Sequence, residues 1–162
     1  MKYERFEQLP VWQAGMTLAE RSFKLTADRA FNYQGDLRSQ LQRAALSVSN
    51  NVAEGFERGT TQELLTFLYI ARGSAGEVRS MLCLLERLDH FAHLKPEISN
   101  LKSLAESISR QLRSWADSLQ NSPITGQRYL TVKTQRAAEQ KKRADAFLEK
   151  LKAAQGRHNP PN

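Results

Sequence analysis

The sequence predicts an all-α protein, an up-down antiparallel four-helix bundle that carries a basic C-terminal tail. In four separate segments apolar residues recur at spacings of three and four, and no segment shows the period-two alternation of a strand. The connections between the segments are short, which favours antiparallel neighbours. The chain has 162 residues, 40% of them hydrophobic, enough for one core. We expect the bundle in residues 1–121 and an extension in residues 122–162.

The first predicted helix spans about residues 10–27. One of its faces is formed by Val11, Gly15, Leu18, Ser22 and Leu25, with Trp12, Met16, Ala19 and Phe23 beside it. The second helix is predicted to open at Asp36, a favourable N-cap residue. Its core stripe consists of Leu37, Leu41, Ala45, Val48, Val52 and Phe56.

The third predicted helix follows Thr60, which forms a capping-box pattern with Glu63. Its core stripe consists of Leu64, Leu68, Ala71, Ala75, Val78, Leu82 and Leu85. The fourth helix has the most regular spacing, in a stripe of Ile98, Leu101, Ala105, Ile108, Leu112, Trp115 and Leu119. Pro96 suits the first turn of this helix, and Ser122 followed by Pro123 is expected to end it.

Charge is divided unevenly along the chain. Residues 121–162 hold nine Lys or Arg against three Asp or Glu, a balance of +6, which leaves +1 of the total of +7 for residues 1–120. A solvated extension and a polyanion-binding arm both fit such a tail. Residues 128–155 are rich in Ala, Glu, Lys, Arg and Gln, so we expect a frayed or partner-dependent helix there, and disorder from residue 156 onward.

Helices two and three each carry a second face beside the core stripe. On helix two it is polar and consists of Gln40, Arg43, Ser47, Asn50, Asn51 and Glu54; on helix three it consists of Leu65, Tyr69, Arg72, Gly73, Gly76 and Arg79. Each glycine costs about 1 kcal/mol of helix propensity relative to alanine, which close approach of another helix would offset. One interpretation is a solvated face. The other is a subunit interface, at which the amides and carboxylates pair with Arg38, Arg43 or Arg79 of a neighbour.

Several classes of protein are disfavoured by the sequence. The longest apolar run, MLCLL at residues 81–85, is far shorter than the roughly 20 residues of a spanning helix. The N-terminal MKYERFEQLP lacks the apolar centre of a signal peptide. Cys83 is the single cysteine, which excludes an internal disulfide and suits a reducing compartment. We therefore expect a cytoplasmic protein without a membrane partner.

No enzymatic centre is apparent in the sequence. Cys83 stands among leucines, which predicts a small buried hydrophobic residue without a nearby activator. His90 and His93 have only Asp89 as a further metal ligand, so a structural or exposed role is favoured. The sequence contains no Glu-x-x-His pair for a di-iron bundle, no phosphate loop and no zinc-spaced cysteine set. We expect no catalytic residue, no metal and no cofactor.

Three segments carry a resemblance to a known family: LPVWQAGMTLAERSFKLT, QLQRAALSVSNNVAEGFERG and ELLTFLYIARGSAGEVRSMLCLLERL. Over about residues 6–120 the chain resembles the four-helix-bundle proteins encoded in 23S rRNA intervening sequences. The same fold includes the accessory variability determinants of diversity-generating retroelements. The motif falls on Gln40, Arg43, Ser47, Asn51, Ala53, Glu54, Gly55, Arg58, Gly73, Ser74 and Glu77. The resemblance implies a homopentameric ring without enzymatic activity, which in the retroelement branch is a partner of a reverse transcriptase and its RNA.

Two functions remain open at this point. One is an oligomeric accessory protein that binds RNA or DNA; the other is a protein-interaction scaffold whose tail serves only solubility. The tail mixes Tyr129 with cations, as single-strand binders often do. The candidate nucleic-acid-binding residues are Arg128, Lys133, Arg136, Lys141, Lys142 and Arg143 in the tail and Arg38, Arg43 and Arg58 on the bundle. The candidate interface residues are Arg43, Asn50, Asn51, Glu54, Gly73, Gly76 and Glu77.

Overall fold

The computed structural model describes residues 3–121, 140 and 143–149, and every regular element in these ranges is helical. The chain divides into two units, residues 1–126 and 127–162, and each is described by itself. The long helices of the first unit are α1 (Pro10–Thr26), α2 (Gly35–Glu57), α3 (Thr61–Leu85) and α4 (Lys95–Gln120). Short 3-10 helices at Phe6–Gln8, Arg29–Phe31 and Asp89–Leu94 precede α1, α2 and α4.

Helices α3 and α4 pack antiparallel, as hydrogen bonds at both ends of the pair show. Gln120, the last residue of α4, donates from Nε2 to the Tyr69 hydroxyl near the start of α3 at 2.8 Å. At the opposite end Lys102 Nζ donates to Oε2 of Glu86, the residue after α3, at 2.5 Å. The start of each helix therefore lies beside the end of the other.

Helix α1 contacts both α2 and α4. Arg21 donates to the Glu97 carboxylate through Nε and Nη2, at 2.9 and 2.8 Å, which joins the end of α1 to the start of α4. This hydrogen bonding holds the pKa of Glu97 below its ordinary value. Gln42 Nε2 donates to Thr26 Oγ1 at 2.7 Å and ties the last residue of α1 to the first half of α2. These side-chain contacts hold α1 against α2 and α4 in a helical bundle.

The predicted core stripes are buried. All of the α3 stripe is buried, as are the α1 stripe and the α2 residues from Leu41 onward, while Leu37 is half-buried. In α4 the last turns differ from the prediction, because Trp115 and Leu119 are half-buried and Ala116 takes the buried position. The bundle core is therefore closed by a small residue there, and the tryptophan packs at its edge.

Two phenylalanines outside the long helices complete the core. Phe31 and Phe91 are both fully buried and meet edge to face, with ring centroids 4.7 Å apart. They lie in the 3-10 helices before α2 and α4, where the sequence offers no periodic pattern. Asp28 Oδ1 accepts from the Ala30 amide at 2.8 Å and so caps the first of these 3-10 helices. That hydrogen bond is the largest cause lowering the pKa of Asp28.

The helix starts confirm one predicted cap and correct another. The amide of Glu63 donates to Thr60 Oγ1 at 3.2 Å, as a capping box requires, while the Thr60 hydroxyl itself donates to Glu63 Oε2 at 2.7 Å. The prediction that Asp36 is the N-cap of α2 was wrong, because α2 begins at Gly35 after the N-cap position Gln34. Asp36 lies in the first turn instead, where a carboxylate interacts favourably with the helix dipole.

In the second unit the described residues are Gln140 and 143–149, which are helical and exposed. Phe147 is 63% exposed and Leu148 is 52% exposed. Of the predicted nucleic-acid-binding residues in the tail, only Arg143 is among them; Arg128, Lys133, Arg136, Lys141 and Lys142 lie outside the described residues. Ser122 and Pro123, and the predicted disorder from residue 156 onward, also lie outside them.

Candidate interaction surfaces

A polar cluster joins α2 to α3 at the predicted interface face. The hydroxyls of Ser47 and Ser74 lie 2.8 Å apart across the two helices. Asn51 Nδ2 donates to the Ser47 carbonyl at 2.7 Å and to Ser47 Oγ at 2.9 Å. Ser74 Oγ also approaches the Ile70 carbonyl at 3.1 Å. Asn51, which the sequence suggested for a contact with a neighbouring subunit, is therefore bonded within its own chain and supports helix pairing.

Glu54 and Arg58 are also engaged with their own chain. Arg58 Nη2 donates to Glu54 Oε1 at 2.5 Å, one helical turn away. This hydrogen bond is the largest cause raising the pKa of Arg58. The Arg58 guanidinium also lies over the Phe67 ring, 5.1 Å from its centroid. Arg58 is therefore less available for the predicted contact with a nucleic acid, because Glu54 offsets its charge and Phe67 covers one side of the guanidinium.

The glycines on this face differ in their surroundings. A Cβ built on Gly55 would lie 2.7 Å from Phe67 Cβ and 3.2 Å from Leu64 Cδ1, so α2 and α3 approach closely at this point. A Cβ on Gly73 or Gly76 would meet nothing within 4 Å among the described atoms. Close packing within the chain therefore explains Gly55, whereas Gly73 and Gly76 leave an open strip on α3.

An open groove of about 420 Å³, with both polar and apolar lining, runs between α2 and α3. Its lining residues are Gln40, Arg43, Ala44, Ser47, Glu77, Ser80 and Met81. Arg43 and Glu77 are both exposed, and within the described part of the chain neither makes a side-chain hydrogen bond or an ion pair. Opposite charges thus line one groove without being paired to each other. These two interface candidates therefore have no charged partner among the residues that the structure describes.

The two remaining candidates on α2 lie at different depths. Asn50 is exposed, and its side chain has no hydrogen-bond partner in the described ranges. Arg38 is half-buried, and its Nε is buried without a partner among the described atoms. Arg38 is therefore less accessible to a phosphate than the exposed Arg43.

A second groove, on the α1–α2 side, is apolar and was not anticipated from the sequence. It has a volume of about 400 Å³ and is lined by Met16, Thr17, Ala19, Glu20, Phe23 and Leu46. Met16, Phe23 and Leu46 are 41%, 42% and 37% exposed. The sequence spacing places Met16 and Phe23 beside the core stripe of α1. Their exposure becomes apparent only when α1 is seen packed against α2.

The prediction that Cys83 is buried was wrong. Cys83 is exposed, because Leu82 and Leu85 lie on the buried face of α3 and residue 83 is about 100° around the helix from residue 82. Lys102 lies near this thiol. Its pKa is raised mainly by the hydrogen bond to Glu86 and secondarily by Cys83.

His90 and His93 lie in the 3-10 helix Asp89–Leu94, between α3 and α4. His93 Nε2 lies 3.2 Å from Asp28 Oδ1, and the His90 ring packs against Phe91 with centroids 4.3 Å apart. Over residues 3–121, 140 and 143–149, no three His, Cys, Asp or Glu side chains are grouped so as to hold a metal ion. Across the same residues no helix is long and apolar enough to cross a bilayer.

Comparison with known proteins places the chain in a family. Residues 7–114 match the family model described as 23S rRNA-intervening sequence protein. The chain belongs to this family. The matched region of this intervening-sequence protein contains α1, α2, α3 and most of α4, and therefore all of the surfaces described on the bundle. The tail lies beyond the match. This finding confirms the intervening-sequence part of the resemblance, and the kinship with retroelement accessory determinants remains a prediction.

A solved structure shows a similar fold. It is that of a protein of unknown function from the S23 ribosomal protein family of Bacteroides thetaiotaomicron VPI-5482. The two chains are 21% identical, with a TM-score of 0.57, over 65% of this chain and 97% of that chain. None of the curated proteins compared with this chain matches it. At this level of identity the likeness concerns the fold alone.

Proposed function

We propose that this intervening-sequence protein is a non-enzymatic accessory protein that binds RNA or DNA through its basic tail and assembles through its bundle. The observation that carries this proposal is the division of charge, +6 in residues 121–162 against +1 in the rest. Cations that neutralise phosphates release condensed counterions, and this release drives binding whatever the nucleotide sequence. A separate basic segment on a nearly neutral bundle suits that mode of binding.

Ion pairing on the bundle supports the tail as the binding segment. Several bundle cations lie beside carboxylates of their own chain. These pairs are Lys24 with Glu20, Arg58 with Glu54, Arg79 with Glu106, Arg110 with Glu106 and Arg113 with Asp117. Exposed pairs of this kind contribute little stability, but each carboxylate repels an approaching phosphate. Of the bundle candidates Arg38, Arg43 and Arg58, Arg43 is the one that is exposed and has no such partner within the described ranges.

The proposed assembly is a homopentameric ring built from a four-helix bundle, as the resemblance implies. Support comes from Arg43 and Glu77, which are unpaired within the described chain, and from the open strip at Gly73 and Gly76. A neighbouring copy could supply opposite charges to the groove and a helix to the strip. This arrangement retains Arg43, Gly73, Gly76, Glu77 and Asn50 as interface residues.

The assembly has a direct measurement. Light scattering should give a mass near five times 18.4 kDa at micromolar concentration. Arg43→Glu should shift this mass toward the monomer while leaving the far-ultraviolet circular dichroism unchanged, because Arg43 makes no ion pair in the described chain. Arg87→Glu is the matched control, because it makes the same change of charge at an exposed position outside the groove. A monomeric mass for the unmodified protein would contradict the ring.

The proposed setting is the cytoplasm, with a reverse transcriptase and its RNA as partners. The setting follows from the single cysteine and from an N-terminal sequence that lacks a signal-peptide pattern. The partners follow from the resemblance to the retroelement accessory determinants, and the basic tail gives the RNA a site to contact. No step of catalysis is assigned to the protein, and the proposal requires no cofactor.

Binding itself is tested by gel-shift titration of the full-length protein with a structured RNA at about 50 mM salt, where phosphate contacts are strong. We expect a complex. The double variant Arg43→Ala, Arg58→Ala should retain affinity within about threefold, because Arg58 is already engaged by Glu54 and Phe67 and the tail cations are intact. A much larger loss, with the light-scattering mass unchanged, would move the binding site to the bundle.

A second candidate is a protein-interaction scaffold, which the apolar groove on α1 and α2 favours. Met16, Phe23 and Leu46 form a contiguous exposed apolar surface, and such patches often mark protein contacts. The same titration separates the two candidates. If neither RNA nor DNA binds at about 50 mM salt, where electrostatic binding is strongest, the scaffold is the better explanation.

A further inference from the structure

The described helical segment 143–149 combines an aromatic side chain with a cation on one side. Arg143 and Phe147 are four residues apart, which places them about 40° apart around the helix axis. Asp145 and Glu149 lie about 200° and 240° from Arg143, on the opposite side. Phe147 is 63% exposed, and Arg143 makes no hydrogen bond or ion pair within the described residues. A polyanion that binds on this side of the segment would therefore contact the cation and the ring and lie away from the two carboxylates.

We infer that Phe147 and Arg143 form a stacking subsite for unpaired bases of a single-stranded nucleic acid. An exposed aromatic ring offers a flat face to a base, and every base has a matching face, so this contact tolerates any sequence. Arg143, one turn away, is placed to contact the phosphate beside the stacked base. Lys141, Lys142, Lys150 and Lys152 flank the pair in the sequence, so this stretch of the sequence is basic. The inference rests on the proposed nucleic-acid binding and narrows it to unpaired segments.

A bilayer is a weaker candidate for the same surface. The large apolar side chains of the described segment are Phe147 and Leu148, which together hold fewer apolar carbons than one myristoyl chain. A single myristoyl chain gives only marginal membrane binding. One aromatic ring is sufficient for one base stack, so the size of the apolar surface fits an unpaired nucleotide better than a lipid phase.

A duplex is also disfavoured as the ligand. Its bases are stacked on one another, and only their edges are open in the grooves. Phe147 could not reach the face of a base without unstacking the base pairs of the duplex. Bases in loops, bulges and single strands are free to stack on a side chain.

The test uses the full-length protein and a fluorescent oligouridine RNA, with a duplex RNA of equal length for comparison. Phe147→Leu keeps the apolar character and removes the aromatic face, and it should weaken oligouridine binding about tenfold, at the low end of the known effect of losing one stacked base. The slope of log affinity against log salt should stay unchanged, since stacking releases no counterion. Arg143→Gln should reduce that slope by about one. Duplex binding should be the same for Phe147→Leu as for the unmodified protein.

The matched control is Leu148→Ala, which removes the neighbouring apolar side chain and should leave oligouridine affinity within about twofold, because leucine has no stacking face. Equal losses in Phe147→Leu and Leu148→Ala, or equal losses on duplex and oligouridine, would overturn the stacking subsite. The stacking subsite would also be overturned if Phe147→Leu left RNA affinity unchanged but lowered the mass measured by light scattering. The same holds if it left RNA affinity unchanged but weakened binding to anionic vesicles. If Arg143→Gln weakens binding and Phe147→Leu does not, the subsite fails and the proposed function stands. If the unmodified protein binds no nucleic acid, both fail.

Discussion

Replacing Gly55 with alanine should destabilise the bundle by about 1–3 kcal/mol, although alanine is the better helix former by about 1 kcal/mol. The new Cβ would lie 2.7 Å from Phe67 Cβ, an atom fixed directly to the α3 backbone. It would also lie 3.2 Å from Leu64 Cδ1. Rotation of a flexible side chain cannot relieve the first contact, so α2 and α3 must separate. Urea unfolding followed by circular dichroism measures the change.

Gly73→Ala is the matched control for this prediction. A Cβ at residue 73 has open space on every side in the described structure, so only helix propensity should act. We expect up to about 1 kcal/mol of stabilisation in the monomer. Equal effects of the two substitutions would contradict the close approach at Gly55. A fall in the mass of the assembly with Gly73→Ala would instead place a neighbouring copy against α3.

The long helices were predictable because burial follows the helical period. The stripe from Leu64 to Leu85 is entirely buried, and α1 begins at Pro10 as predicted. Phe31 and Phe91 could not be found in this way, because each lies in a 3-10 helix of a connection where no repeat identifies the buried side. Cys83 shows the reverse error, since its apolar neighbours in the sequence are not its neighbours around the helix.

The polar face was located from the sequence, but its partners were not. Asn51 was recognised as unusual, yet the spacing alone cannot tell whether Ser47 of the same helix or a group on another copy accepts its hydrogen bonds. The sequence alone likewise does not distinguish the surroundings of Gly55 from those of Gly73. Helix α2 lies against α3 at the first, and nothing in the described chain lies against the second. Side-chain placement in three dimensions decides such cases.

Deleting residues 123–162 should remove most of the affinity for structured RNA and flatten its dependence on salt. Binding by the full-length protein should weaken by about 10³ or more between 50 and 200 mM salt if the tail makes six or more phosphate contacts. The deletion removes nine Lys or Arg side chains and leaves a segment of net charge near +1. Gel-shift titrations of both proteins at the two salt concentrations measure the loss.

The truncated protein should stay folded, which makes the loss of binding interpretable. Every buried residue among the described positions lies between Leu9 and Ala116, so the deletion removes no core side chain that the structure identifies. Unfolding by urea should therefore show a similar midpoint with and without the tail. Unchanged RNA affinity in a folded truncation would exclude the tail as the binding segment. Arg43 would then be the first residue to test, because it is exposed beside an open groove and no carboxylate of the described chain pairs with it.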